Sequence, residues 1–335
     1  MAHEFESGFF TRKPAWHGLG IVLKEVPTIE EAIVAAGVDW NVIEKPLYTD
    51  LGQTYENKAR KDDLVLPKHV ATHKALIRET DNSVLGIVGE GYKPVQNREA
   101  FQWFDFLLDS GDATLEAGGS LRNGQRIWVL AKMKDGDGDV LKNDPVASYM
   151  LLSNAHDGSM GVWLMFTPIR VVCMNTLSAA LGGAENAAKA GKAMSLRHTT
   201  NILDQMEMAK GLVNTAKRTF EDSLETYKAF AKKRITDKMF DEFFKKSYWS
   251  EQELRLHDEG TLEKSKVYAT VKRLYESGTG QDIPGVRGTL WAAYNAVTEF
   301  VDHERGRDDN RLSSSWFGSG NDLRSKAFKQ AVKML

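Results

Sequence analysis

The sequence predicts an α+β protein. A mixed, largely antiparallel, β-rich domain over residues 1–186 precedes a helical domain over residues 187–335, with one long helix near 201–234. Three observations predict this. Asn123-Gly124 lies between two strand-like runs in "ATLEAGGSLRNGQRIWVLAKM" (113–133), and such a pair tolerates the positive φ of a tight hairpin turn. "VASYMLLSNAHDGSMGVWLMFTPIRVVCMNTL" (146–177) sets two long apolar runs around a His-Asp-Gly-Ser turn, as buried neighbouring strands do. Beyond the small-residue stretch "GGAENAAKAGKA" (182–193), apolar residues return about every 3.6 positions, the period of a helix with one buried face.

In chain order, "TIEEAIVAAGV" (28–38) predicts a short helix, capped by Thr28 with Glu31 three residues on and ended by Gly37. "WNVIEKPLYT" (40–49) and "SVLGIVGEGYKPV" (83–95) carry the β-branched and aromatic residues that strands favour. Gly86, Gly89 and Gly91 there mark a bulge or turn, since the dinucleotide fingerprint and its strand-to-helix step are absent. "NREAFQWFDFLLDSG" (97–111) predicts one helix capped by Asn97, with Phe101, Phe104, Leu107 and Leu108 on one face. In the 113–133 hairpin, Ile127, Val129 and Ala131 point one way, Trp128, Leu130 and Lys132 the other. "DGDGD" (135–139) predicts a solvated loop; its spacing fails the calcium-loop pattern, because Val140 and Val146 stand where glycine and a carboxylate are needed. Leu203, Met206, Leu212, Ala216, Phe220, Leu224, Tyr227 and Phe230 make the stripe of the long helix, expected to mediate assembly. Further helices are expected near 236–247, 250–259, 261–277, 287–304 and 322–334.

The composition is that of a soluble globular chain, 42% hydrophobic and 27% charged. No run approaches the ~20 apolar residues of a membrane span, and the start lacks the apolar core of a signal peptide. One cysteine excludes an internal disulfide framework and a multi-cysteine zinc site, which fits a cytoplasmic setting. The net charge is −2. The first 186 residues are acidic on balance and the rest basic, so a nucleic-acid site has to be a local groove rather than a global field.

Cys173, in "TPIRVVCMNTLSAAL" (167–181), could be a nucleophile with His156 and Asp157, which would make the chain a hydrolase. Free cysteines are among the most buried residues, and alternation puts Cys173 beside Val171, so core packing is the stronger reading. The histidines form no zinc pattern; His69 and His73 are four apart but have no evident third ligand. No metal or cofactor is expected. A basic-aromatic set remains: Lys93, Arg98, Arg122, Arg126, Trp128, Trp163, Arg170, Arg197 and His198. Guanidinium groups hold phosphates in a fork and aromatic faces stack on unpaired bases. Either tryptophan taken alone, and Arg170 between buried strands, reads equally as core. Near the end, "DHERGRDDNRLSSSWFGSGNDLRSKAFK" (302–329) is either a binding loop around Trp316-Phe317 or a linker whose aromatic pair docks on the helical domain.

Taken together, "PAWHGLG" (14–20), "YKPVQNREAF" (92–101), "GGSLRNGQRIWVLAKM" (118–133), "SNAHDGSMG" (153–161), "TPIRVVCMNTLSAAL", "RHTTN" (197–201) and "GTLWAAYNAVTEFVDHERG" (288–306) resemble the phage/plasmid-like protein family, a domain of unknown function spread through phages, prophages and plasmids. The resemblance implies a bacterial cytoplasmic setting and a mobile-element origin, and it carries no catalytic residues. The β-rich half also looks compatible with phage single-strand annealing proteins of the RecT and Red-beta type, which assemble along DNA. The leading expectation is a homo-oligomer that binds single-stranded DNA in recombination or replication. The alternatives are a module that docks on a host defence protein, and the Cys/His hydrolase.

Overall fold

The computed structural model describes residues 5–11, 19–49, 68–172, 175–176, 193–248, 265–306, 314–316 and 318–335. The strands are β1 (Phe5–Thr11), β2 (Ile21–Leu23), β3 (Val42–Thr49), β4 (Lys68–Arg78), β5 (Val84–Gly89), β6 (Ala113–Leu121), β7 (Arg126–Leu141), β8 (Asp144–Ala155), β9 (Val162–Arg170), β10 (Asn175–Thr176) and β11 (Ala193–Leu196). The helices are α1 (Ile29–Ala35), α2 (Asn97–Gln102), α3 (Asp105–Asp109), α4 (Ile202–Met208), α5 (Leu212–Lys232), α6 (Asp237–Tyr248), α7 (Lys266–Ser277), α8 (Leu290–Glu299) and α9 (Ser319–Lys333). The fold is α+β, with an antiparallel sheet-rich N-terminal region and C-terminal helices, as expected.

An eight-stranded sheet runs β10-β9-β8-β7-β6-β1-β2, with β11 also on β9; among the described residues β1 and β2 pair in parallel and its other pairs are antiparallel. Its centre is the hairpin the sequence announces. Arg122, Asn123 and Gly124 take φ of 55°, 54° and 84°, the left-handed geometry that closes β6 on β7. The alternation along β7 then decides what covers each face. Ile127, Val129 and Ala131 join Met150, Leu152, Leu164 and Phe166 under the helices. Trp128 and Leu130 face the other way, with Tyr149, Leu151 and Ile169. On the helical side α5 crosses β7, and its Phe220, Tyr227 and Phe230 are buried against Phe166, Trp291 and Phe328. Each such ring contributes about 1.5–3 kcal/mol by leaving water. A second, three-stranded sheet, β3-β4-β5, packs Val42, Leu76, Leu85 and Val88 beneath Trp40 and Tyr92.

Several elements differ from expectation. The "DGDGD" run is strand: Asp137, Gly138 and Asp139 pair with Ala147, Val146 and Pro145, and the turn falls at Lys142-Asn143 instead. Gly138 is there for space, since a Cβ would lie 2.3 Å from the Leu224 methyl of α5. The 97–111 helix is two short ones, bent at Trp103-Phe104 so that both rings enter the core. Its N-cap is Gln96, whose amide nitrogen donates to Glu99 at 2.8 Å; Asn97 is drawn inside. A 3-10 turn at Ala209–Gly211 breaks the long helix, and Leu203 is exposed. Of the stripe on α5, Phe220, Tyr227 and Phe230 are buried within the chain and Leu224 is partly buried. The Thr28–Glu31 capping box on α1 forms as expected. The linker at 182–192, Cys173, Phe317 and the 250–259 helix lie outside the described residues. Trp316 meets Trp128 edge-on at 4.9 Å, so this ring docks on the sheet.

Candidate functional site

Strands β6 to β9 end together in two turns, 122–125 and 156–161. The His156 amide donates to the Gln125 carbonyl at 2.7 Å and joins the turns. Two further segments close on this corner. Tyr92 Oη donates to the Ala155 carbonyl at 2.5 Å. The Lys93 amide donates to the His198 carbonyl at 3.1 Å, while His198 Nδ1 lies 2.9 Å from the Lys93 carbonyl. From the small sheet, Arg78 at the end of β4 reaches over Gly124, where a Cβ would sit 2.1 Å from Arg78 Nη2.

The corner collects Lys93, Arg122, Arg126, Trp163, Arg197 and His198 of the expected set. Lys93 and Arg197 are exposed, Arg122 and Trp163 half-buried, and Arg126 buried with Nη2 donating to Ser159 Oγ at 3.4 Å. Trp163 stands across β8 from Trp128, one row in from Arg126, and Arg197 follows the β11 residues that pair with the start of β9. The other three are elsewhere or sealed. Trp128 has 0% exposure, between Phe10 and Trp316. Arg98 is paired with Glu30 and Asp39 beside α1. Arg170 lies at the far end of β9 on the helical face, fully buried, with Nε donating to Asp144 Oδ1 at 2.6 Å and Nη2 to Oδ2 at 2.9 Å. One open trough holding all of these residues is therefore not formed.

The interior of the corner is polar in a specific way. His156 has 0% exposure and its Nε2 lies 2.9 Å from Asn97 Oδ1. Asn97 Nδ2 donates to the Val38 and Trp40 carbonyls at 3.0 and 3.2 Å, so Oδ1 is the accepting end. His156 therefore carries its proton on Nε2 and presents a bare lone pair at Nδ1. By the same reasoning His198, 7% exposed, carries its proton on Nδ1 and has a bare Nε2. Neither bare nitrogen has a hydrogen-bond partner among the described residues. Burial pushes His156 down from 6.5 to about 3, helped by His198 and Arg78 and opposed by Asp157. Burial also lowers His198, against the pull of the Lys93 carbonyl. Tyr92, stacked on His198 at 4.3 Å, has its hydroxyl raised by burial and by Asp157. Arg78 lies over the Trp40 ring at 4.6 Å, and Trp40 meets His156 edge-on at 5.7 Å. Arg78 Nη1 pairs with Glu6 at 2.7 Å, and Glu6 accepts from Ser120 at 2.6 Å. Arg78 Nε and Nη2 have no hydrogen-bond partner among the described residues.

Sequence reasoning missed Arg78, Trp40, Tyr92 and Asn97, which meet only through packing of the two sheets. The "SNAHDGSMG" turn was the one local signal. Among the described residues no three His, Cys, Asp or Glu side chains are placed to hold a metal, and no helix is long and apolar enough to cross a membrane. The hydrolase expectation rests on Cys173, outside the described residues; β9 carries the chain away from His156 by about 26 Å before Arg170.

Fold and site together define an α+β protein whose basic corner encloses two neutral imidazoles. Residues 84–334 match the family model described as Domain of unknown function (DUF932), and the chain belongs to that family. No curated protein and no solved structure matches it.

Proposed function

We propose that this protein binds single-stranded DNA at the turn end of its large sheet, as a homo-oligomer serving recombination or replication of a phage or plasmid in the bacterial cytoplasm. The mobile-element setting rests on the resemblance to phage/plasmid-like proteins. The binding reading rests on one observation: Lys93, Arg122, Arg126 and Arg197 come from three separate stretches of chain to one edge, with Trp163 beside them. Exposed cations would track the phosphates, and the half-buried indole would take a base on its open side. Assembly would use the free edge of the sheet at β2, where Ile21 and Val22 are about half exposed.

The test is fluorescence anisotropy of labelled oligonucleotides at several salt concentrations, with the mass of the assembly measured alongside. Each phosphate contact on a single strand gives a slope of about −0.7 in log K against log salt. The joint Lys93→Gln, Arg197→Gln variant is expected to flatten the slope by about 1.4. No binding at low salt, or an unchanged slope, overturns the reading.

A second reading, docking on a host protein, is supported by the free face of the small sheet, where Val84 and Ile87 are 60% and 55% exposed. It predicts salt-insensitive capture of one host protein, lost on Val84→Lys and unaffected by Lys93→Gln.

A further inference from the structure

A groove of about 610 Å³ opens between the start of α6, the end of α7 and the loop that leads into α8. Its size is that of a small-ligand site, ~300–1,000 Å³. The loop is clamped in place. Gly285 and Gly288 take φ of 94° and 74°, which folds it back on the chain entering α6. The Ile235 amide donates to the Gly288 carbonyl at 3.1 Å, and Arg234 Nη1 donates to the Arg287 carbonyl at 2.7 Å. Gly285 lies against Leu141, at the end of β7 farthest from the basic corner.

Two features of the lining point to a ligand. Tyr275 is only 7% exposed, with its ring stacked on Phe240 at 4.4 Å, yet its hydroxyl has no hydrogen-bond partner among the described residues. A buried tyrosine hydroxyl normally finds one. Burial raises this hydroxyl above its ordinary pKa, Asp237 and Glu276 add to the rise, and Arg234 opposes it, so both carboxylates face the phenol. The second feature is charge of both signs. Asp237, Glu276 and Arg287 all line the groove and all are exposed, and none of the three is in an ion pair among the described residues. Between them Ile235, 9% exposed, makes an apolar wall.

We propose that this groove binds a free α-amino acid with an aliphatic side chain, its ammonium held by Asp237, Glu276 and the Tyr275 hydroxyl, its carboxylate by Arg287, and its side chain along Ile235. A simple amine meets the repulsion of Arg287, and a simple acid meets that of two carboxylates; a zwitterion satisfies all three charges. The proposal goes beyond the nucleic-acid reading and shares no residue with it.

The experiment uses the full chain near neutral pH. L-Leucine is compared with 3-methylbutylamine, which lacks its carboxylate, and with 4-methylpentanoate, which lacks its ammonium. Affinities come from calorimetry, and the place of binding from backbone-amide NMR. A charge-assisted contact is worth about tenfold or more in affinity, so L-leucine is expected to bind at least about tenfold more tightly than either fragment. The amide signals of Asp237 and Gly288 are expected to shift on its addition. Arg287→Gln is expected to bring L-leucine down to the affinity of the amine, and Glu276→Gln to lower it by about threefold or more. Both side chains are exposed and unpaired, so these variants are expected to keep the wild-type thermal midpoint. Tyr275→Phe keeps the stack on Phe240 and is expected to weaken L-leucine alone, with 4-methylpentanoate unchanged. Equal affinity for L-leucine and either fragment, an unchanged affinity in Arg287→Gln, or signals that shift only elsewhere overturns the proposal and leaves water as the partner of these groups.

Discussion

Asp144→Ala separates the structural part of this protein from its binding part. Asp144 and Arg170 both have 0% exposure, and their two parallel hydrogen bonds of 2.6 and 2.9 Å are reinforced by Trp291, whose Nε1 donates to Asp144 Oδ2 at 2.8 Å. Arg170 also donates to the Thr279 and Gly280 carbonyls at 3.3 and 3.1 Å. The cluster ties β8 and β9 to α8 and to the loop after α7. Removing the carboxylate leaves a buried guanidinium without its counter-ion, beside the neutral Thr279 and Gly280 carbonyls, and takes away the acceptor of the Trp291 indole N–H. Breaking a buried pair from one side costs about 3–5 kcal/mol. Three lost bonds to a charged group, at ~1.5–3 kcal/mol each, set a ceiling near ~9 that relaxation lowers. The expected loss is therefore about 4 kcal/mol, a large share of the ~5–15 kcal/mol that holds a domain folded. Urea unfolding followed by tryptophan fluorescence reads it as a fall in midpoint at constant slope. The joint Asp144→Ala, Arg170→Met variant removes both charges and is expected to regain at least half of the loss, because an apolar replacement avoids burying an unpaired ion. A single-variant loss below about 1 kcal/mol, or a double variant worse than the single, refutes the reasoning. Oligonucleotide affinity of the folded double variant is expected to match wild type; a tenfold loss would return Arg170 to the phosphate-binding set.

The folded chain holds His156 neutral, with its value lowered from 6.5 to about 3, so the unfolded chain takes up the extra proton and stability falls as pH drops from about 6.5 toward 3. At pH 5 the loss from this group is about 2 kcal/mol, read as a lower urea midpoint than at pH 7.5; a pH-independent midpoint would contradict the burial argument. Gly124→Ala combines φ of 84° with a Cβ 2.1 Å from Arg78 Nη2, and is expected to cost about 2 kcal/mol in thermal unfolding; a neutral result would mean that Arg78 rests elsewhere. Trp163→Ala is expected to weaken oligonucleotide binding by about 1–3 kcal/mol in anisotropy, and unchanged affinity would exclude stacking there.

What was legible was local. The Thr28–Glu31 box, the Asn123-Gly124 turn and the alternation on either side of it each need only a few neighbouring residues, and each is formed. What was illegible depends on partners far along the chain. β4 reads "KHVATHKALIR", polar and largely exposed at its start, and becomes strand because β3 and β5 flank it. "DGDGD" has loop composition, yet pairing with the start of β8 extends it, and its glycines make room for Ser148 and Leu224. Even the break in the long helix had a visible trace, since Gly211 ends the 3-10 turn that separates α4 from α5.

The same limit explains why the basic residues sorted as they did. Local sequence sets Arg122 beside the Asn123-Gly124 turn and Arg170 in an apolar run, but it names the partner of neither. Their fates are set by what stands across the sheet. Arg170 meets Asp144 and Trp291, 26 and 121 residues away in sequence order on either side, and is consumed by them. Arg78 meets Glu6, and Asp81 at 3.7 Å, through Nη1 and lies over Gly124 with its Nε–Nη2 side. Arg170, gripping Asp144 through Nε and Nη2, bolts the large sheet to the helices, and Arg78, pairing with Glu6 through Nη1, ties the small sheet to the large one. Arg78, which no local pattern singled out, is placed by partners in β1 and in the 122–125 turn that only the folded chain brings to it.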